Sequence, residues 1–304
     1  MIRLERGITF MLRGLYTAAA GMITQQRRHD TVTQNIANIN TTGYKQVDSV
    51  ARSFPEALIS VTGGDANNSE RKLGKLNTGV FMEESISMFL QGDVTETNKS
   101  TDFALQSDLT VNDPATGQPI PFDANGKYVG EDGVPLYQPQ SFFTVQDNQG
   151  QVRYTRDGNF KVNADGQLLT STGFQVLGAN NQPVTIQGAI DKLKVDGQGR
   201  IINTTTGMPT GASLAISVVS QPYEMVREGN GVFRIDNADA AGVRLRANGD
   251  NMDVRQGYLE RSNVNSAQSM VDMNLASRAY ESNQKVIQYY DRSLDKAVNE
   301  IGRV

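Results

Sequence analysis

Asp157 and Asp165 are the carboxylates whose spacing invites a catalytic reading, since each closes a short β-like run and stands before a glycine. Glycoside hydrolysis needs two carboxyl groups flanking a cleft, with their pKa values pushed apart. Both residues sit in Asp-Gly turns, however, where the side chain hydrogen-bonds its own backbone, and the turn reading is preferred. Asn163-Ala-Asp165-Gly166 has the opening of a calcium loop but lacks the later oxygen ligands and the bidentate glutamate. His29 is the single histidine. With no second His or Cys near it, it reads as a helix-seam or surface residue, not a metal ligand. Cysteine is absent, which removes disulfides, thiol catalysis and thiolate metal sites. No nucleophile motif, P-loop or dinucleotide fingerprint stands out. The chain reads as a non-enzyme without a catalytic, cofactor or metal site.

Asn35, Asn38 and Asn40 have a different chemistry to offer, because three amides in six residues weaken a helix end. They terminate a helix, or they make side-chain hydrogen bonds between packed subunits, and the two roles are compatible. They close a stretch, Met11 to Gln46, that reads as one long helix. Leu12, Leu15, Ala19, Met22, His29 and Ile36 advance by three- and four-residue steps, the spacing of a seam that another helix can cover. Gln26 and Thr33 interrupt its apolar run. Gly43, in Asn40-Thr-Thr-Gly43, can take the left-handed conformation that closes a helix. Arg3, Glu5 and Arg6 make the first ten residues look unlike this helix and admit an upstream extension before a functional start at Met11.

The partner lies at the other end. From Ser262 to Ile301 there is no glycine or proline, and Ser262 or Asn263 can cap the helix start. Positions 270, 273, 277, 280, 284, 287, 291, 294, 298 and 301 keep the three-four alternation. Seven of these ten are apolar: Met270, Met273, Tyr280, Ile287, Leu294, Val298 and Ile301. This helix is the partner, in the same molecule or in a neighbour. Isolated helices are marginal in water, so both ends are expected to order on association.

Between the ends the chain changes character. Residues 46–100 carry Gly63-Gly64, Asn67-Asn68, Asn77 and Gly79 and read as extended chain and loops, with Pro55 placed for the first turn of a short helix. From about 100 to 230 the sequence is β-rich. Phe142–Gln146, Val152–Arg156, Phe160–Asn163, Gln167–Thr170 and Phe174–Leu177 are separated by Asp-Gly and Asn-Gly turn signals. Lys161-Val-Asn-Ala-Asp-Gly and Lys194-Val-Asp-Gly-Gln-Gly resemble each other and read as two similar hairpins. Residues 107–140 form a long loop excursion. The fold class expected is a mainly β middle with long terminal α-helices that pair as a coiled coil on assembly. Its parts are 1–45 and 262–304 (helices), 46–100 and 231–261 (intermediate segments) and 101–230 (β-rich, with the 107–140 insertion).

Residues 1–50 carry six Arg/Lys against three Asp/Glu, and 262–304 carry five of each, so the acidic excess of this chain of net charge -4 lies in its middle. That suits a middle facing water and ends facing protein, and it gives no basic field for nucleic acid. No cleaved secretory signal and no apolar run of membrane-spanning length is visible.

Three blocks then resemble one family. Gly21-Met22 with Asn35-Ile-Ala-Asn38-Ile-Asn40-Thr-Thr-Gly43-Tyr-Lys45 resembles the N-terminal signature of bacterial flagellar rod and hook proteins. Leu259-Glu-Arg-Ser262-Asn263-Val264, Met270-Val-Asp-Met273 and Arg278-Ala-Tyr280 through Ile287 resemble its C-terminal signature. Tyr154-Thr-Arg-Asp-Gly-Asn-Phe160 resembles its β-region, and is most similar to the distal rod type. Departures are the 107–140 insertion and Ser269, where the family commonly has glutamate.

The resemblance implies a self-assembling subunit of the flagellar rod in the basal body. It would transmit torque, line the export channel, and leave the cytoplasm through the flagellar type III export apparatus. Implied partners are copies of itself and other rod and hook subunits; implied cofactors are none. Implied subunit-contact residues are Leu12, Leu15, Ala19, Met22, Asn35, Asn38, Asn40, Gly43, Ser262, Asn263, Val264, Met270, Met273, Tyr280, Ile287, Leu294 and Val298. Phe54 and Leu58, four apart, resemble the family's short export-recognition motif. The alternatives are a proximal rod or hook subunit and, from another class, a secreted β-rich carbohydrate-binding or hydrolytic protein.

Overall fold

Long three-four patterns at both ends and turn-punctuated β runs between them give two compact units. The computed structural model describes residues 2–61, 71–113, 117–123, 126–130, 133–186 and 192–301, with backbone alone for 2–12, 57–61, 71–73, 300 and 301. One unit comprises residues 1–37, 47–86 and 265–304; the other comprises 38–46 and 87–264. We call them the helical unit and the β unit. The side chains of Leu12 and Leu58 lie outside the described residues.

In the helical unit, α1 (Ile2–Ala37) and α2 (Ser266–Lys296) pair side by side. Arg28 meets Asp272 at 3.3 Å, a Cβ on Gly21 would sit 3.1 Å from Asn283 Nδ2, and one on Gly14 would overlap the Tyr290 ring. Partners that fall as the helix number rises define an antiparallel pair. α1 begins before Met11, so residues 2–10 continue the helix although their charges suggested otherwise. It ends at Ala37, six residues short of Gly43. The cap of α2 is Asn265, whose side chain accepts from Gln268 N–H, not Ser262 or Asn263. Lys296 closes its last turn, and a π-type turn, Ala297–Ile301, follows.

A strand ribbon, Ala51–Ser53 with Val80–Met82, completes this unit, beside the hairpin Ala57–Val61 with Arg71–Leu76. Thr17 Oγ1 donates to Thr78 O and Thr24 Oγ1 to Val80 O, which ties α1 to the ribbon. Pro55 starts no helix. It lies in the extended link between two strands, where Phe54 stacks on Phe81 with centroids 5.2 Å apart.

The β unit is built on a nine-stranded antiparallel sheet. Its path runs Phe160–Val162, Leu168–Thr170, Gln175–Val176, Gln140–Gln146, Val152–Thr155, Val232–Ile235, Met225–Gly229. Ile216–Val219 pairs with the first half of Gln140–Gln146 and with Val243–Leu245. Ser141–Val145 are buried without a break along the strand Gln140–Gln146, because both its faces are covered. Phe143 and Val145 enter one core with Phe103, Leu105, Phe160 and Ile216; Phe142 enters another with Phe89, Tyr154 and Phe233. The 107–140 excursion contains a ribbon, Lys127–Val129 with Pro135–Tyr137.

One turn recurs at three hairpins. Asp147, Asn163 and Asp196 each accept two backbone N–H bonds on Oδ1, from the second and fourth residues onward. The third residue onward is a glycine at positive φ: Gly150, Gly166 and Gly199. This is a tight hairpin loop ending in a left-handed residue. The likeness of the 161 and 194 segments therefore extends to a third member at 147.

Candidate assembly surface

The two helices carry two apolar stripes each, and pairing uses one. On α2, the buried or half-buried positions are 269, 273, 276, 280, 283, 287, 290, 294 and 297, with Asp272, Ser277 and Ala279 alongside. That seam keeps the expected Met273, Tyr280, Ile287 and Leu294. At alternate positions it moves one residue back, to Ser269, Ala276, Asn283, Tyr290 and Ala297. Ser269 and Ala276 are small, and Gly14 and Gly21 on α1 leave room for Tyr290 and Asn283, so packing follows size there instead of apolarity. Met270 and Val298, expected in the seam, stand 55% and 70% exposed.

On α1, Leu15, Ala19 and Met22 are half-buried; Ala18 and Val32, outside the expected set, are more deeply buried. Two of the seam's polar interruptions, Gln26 and Ser277, line an open cleft of about 310 Å³ with His29, Asp30 and Tyr280.

The second stripe faces outward. Tyr16 and Ile23 on α1, and Val271, Leu275, Val286 and Tyr289 on α2, are exposed together with Met270 and Val298. Tyr16 and Ile23 are one heptad apart; Val271, Leu275, Val286 and Tyr289 keep to one side of α2. Unpartnered apolar stripes of this length mark protein contact surfaces.

The asparagines divide their tasks. Asn35 is buried, and its amide takes both ends of Val47: Nδ2 donates to Val47 O at 2.7 Å and Oδ1 accepts from Val47 N at 2.9 Å. Both of these hydrogen bonds are made within the chain. Asn38 accepts from Thr41 Oγ1 in the turn after the helix, and Asn40 is exposed.

In the β unit the segments that follow α1 and precede α2, residues 38–46 and 258–264, meet residues 87–93 in what we call the neck. Asn263 pins it: Oδ1 accepts from Gln46 N–H at 2.6 Å, and Nδ2 donates to Met88 O and Leu90 O. Ser262 Oγ accepts from Val264 N–H, and Val264 is buried. Gly43 has φ +65°, and a Cβ there would lie 2.5 Å from the Arg156 carbonyl carbon, so no larger residue fits. Thr42 Oγ1 donates to Asp157, whose carboxylate also accepts from Asn159 N–H and Ser171 Oγ. Asp157 is thus taken up in structure, and Asp165 sits in the turn organised by Asn163.

At the centre of the neck is a buried charge cluster that sequence reasoning missed. Glu260 Oε1 meets Lys45 Nζ at 2.7 Å, and Oε2 meets Arg156 Nε at 2.8 Å, with all three side chains at most 1% exposed. Gly92 N–H donates to Oε1; Lys45 Nζ donates to Leu90 O; Arg156 Nη1 donates to the Ser141 carbonyl and hydroxyl. Burial pushes the Lys45 ammonium down to about 8, the neighbouring Arg156 adds to this, and Glu260 opposes it. Burial acts to raise the Glu260 pKa, but Arg156, Lys45 and the Gly92 N–H bring it below the usual value. Arg227 braces the same region, its guanidinium 4.5 Å from the Tyr44 ring centre and donating to Lys45 O. All three lie inside the blocks that carry the family resemblance, yet nothing in the sequence pairs them, because Glu260 is more than a hundred residues from either cation.

Among the described residues no group of three or more His, Cys, Asp or Glu side chains gathers as a metal site, and no helix is long and apolar enough to cross a membrane.

Comparison with known proteins places three family models on the chain. They are a flagella basal body rod protein model at residues 15–45, a flagellar hook protein FlgE/F/G D1 domain at 138–203, and a flagellar basal body rod FlgEFG protein C-terminal model at 255–300. The chain is 34% identical to the flagellar hook-basal body complex protein FlhO of Bacillus subtilis, over 97% of this chain and 100% of that protein. It is 30% identical to the flagellar basal-body rod protein FlgG of Borreliella burgdorferi, over 95% and 98%. It is 26% identical to FlgG of Bacillus subtilis, over 95% and 99%.

Proposed function

Since the chain belongs to the flagellar basal-body rod and hook family, a family of structural and not catalytic subunits, we propose that it is a self-assembling rod subunit of the distal type. The observation that carries this reading is the outward apolar stripe on a helix pair whose inner stripe is already satisfied. In the proposed assembly, 1–45 and 262–304 form an inner layer around the export channel. Residues 46–100 and 231–261 are intermediate, and 101–230 lies outside. Neighbouring copies and other rod and hook subunits cover Tyr16, Ile23, Met270, Val271, Leu275, Val286, Tyr289 and Val298, with Leu12, Leu15, Ala19 and Met22 supporting the same surface. The assembled rod transmits torque. The subunit reaches it through the flagellar type III export apparatus, with Phe54 and Leu58 as the recognition pair; Phe54 is 38% exposed.

Similarity to FlgG, a basal-body rod protein, supports a rod subunit, and the Tyr154–Phe160 block supports the distal type. The higher identity to FlhO, whose name specifies only a hook–basal body complex, favours a second reading as another component of the same axis.

The experiment is incorporation. Leu275→Asp combined with Tyr289→Asp should abolish entry into basal bodies while the secreted monomer keeps its sheet protected from hydrogen exchange. Normal incorporation would refute the assembly surface. Electron microscopy of basal bodies with the subunit labelled separates distal rod from proximal rod and hook by position.

A further inference from the structure

Glu260 is the last-made member of a cluster whose cations are laid down much earlier. Lys45 precedes it by 215 residues and Arg156 by 104. Both cations are held in the interior of the β unit, Lys45 on Leu90 O and Arg156 on Ser141. Without Glu260, closing the neck would bury an ammonium and a guanidinium together, and among the described residues no other carboxylate pairs with either. Two like charges in a low-dielectric interior repel strongly, and a buried ion stripped of its partner is among the costliest defects a fold can carry.

The backbone has the same dependence. Gly43 N–H donates to Glu260 O at 2.9 Å, Gly92 N–H to its carboxylate at 2.8 Å, and Arg261 N–H to Asp93 O at 2.8 Å. Every one of these bonds joins an early segment to residues 260–261. Arg156 also meets the sheet through Ser141, so the cluster links the neck to the strand Gln140–Gln146.

We propose that Glu260 is a completion switch: in a chain that emerges N-terminus first, the neck stays open until the segment 258–264 delivers the one carboxylate that neutralises Lys45 and Arg156. Closure then reports that the C-terminal part of the chain, from which α2 follows directly in sequence, has arrived. The switch does not rest on the assembly role proposed above, because its parts lie within the β unit of a single chain.

The test is amide hydrogen exchange on the full-length protein. In Glu260→Gln, segments 38–46 and 87–93 should exchange on the order of 100-fold faster, or more, than in the parent, while strands 140–146 and 216–219 stay within about threefold. The triple variant Lys45→Met/Arg156→Met/Glu260→Met removes all three charges at similar volume and should return the neck to within about tenfold of the parent. Parent-like protection of the neck in Glu260→Gln overturns the proposal, as does equal acceleration of neck and sheet. If Glu260→Gln does not fold, the triple variant decides. A folded triple with a protected neck supports a requirement for charge neutralisation; a triple that also fails, or folds with an open neck, overturns it.

Discussion

The helical unit and the β unit dispose of apolar surface in opposite ways. Among the described side chains of α1, α2 and the turn that follows α2, eight large apolar ones are exposed, several aligned in stripes. In the much longer β unit exposed ones such as Leu90, Met208 and Leu245 stand apart, while Val129 and Val134 lie at the same end of one ribbon. The sheet's edges are guarded as well. Met225–Gly229 carries Arg227 and Glu228 with a register shift between Arg227 and Gly229, and Phe160–Val162 is three residues long with Lys161 exposed. Short, charged or bulged edges discourage strand addition from another chain. One unit is therefore finished as a monomer, and the other is finished only on its inner side.

The sharpest way to break that contrast is a pair of truncations. Phe143→Ala empties a site that is fully buried between two core elements and should cost the β unit about 3–5 kcal/mol in denaturant unfolding. Leu275→Ala, on the outer stripe, should change monomer stability by no more than about 0.5 kcal/mol while measurably weakening self-association in sedimentation. If both variants lost monomer stability alike, the outer stripe would be packing surface and the contrast would fail.

The charge cluster gives the β unit a pH signature of its own. Lys45 titrates at about 8 in the folded chain against 10.5 ordinarily. Between those values the unfolded chain holds the proton and the folded chain has released it, so unfolding free energy rises with pH across that window. From pH 8 to 10 the gain should be roughly 2 kcal/mol in denaturant titrations, and Lys45→Met should flatten it. Glu260 works at the other end: its depressed pKa supplies stability above the ordinary carboxylate range that is lost as pH falls through the folded value. That acid limb should survive in Lys45→Met, because Arg156 still faces Glu260. An unchanged alkaline slope in Lys45→Met would remove the cluster from the account.

What could be read from sequence follows from how far each residue's partner lies. Strands such as Val152–Thr155 and Phe160–Val162 are bounded by their own turn residues, so local chemistry places them within a residue or two. The α2 seam was legible at Met273, Tyr280, Ile287 and Leu294. At the intervening positions apolarity pointed to Met270, whereas the glycines of α1 made room for Asn283 and Tyr290. Gly43 was read as a helix stop, yet its constraint comes from Arg156, more than a hundred residues away, as the constraint on Glu260 does. A residue whose reason is non-local carries no local signature, and the neck consists almost wholly of such residues.

The three matching hairpins sharpen the point on a smaller scale, since one local device meets three different surroundings. Gly150, Gly166 and Gly199 all need positive φ, so alanine at any of them should cost about 1 kcal/mol for the left-handed backbone. The surroundings then separate them. A Cβ on Gly150 meets only the end of Gln146 at 3.8 Å, one on Gly199 touches Ile216 Cδ1 at 3.3 Å, and one on Gly166 runs into Ile186 O at 2.6 Å. The side-chain tip at Gly199 can give way. The carbonyl at Gly166 cannot, because Ile186 N–H is itself bonded to Gly166 O at 2.7 Å. Destabilisation measured by urea unfolding should therefore rise from Gly150→Ala through Gly199→Ala to Gly166→Ala, with the last roughly twice the first. Equal losses at all three would mean that the turn's backbone alone sets its cost and that tertiary context adds nothing there.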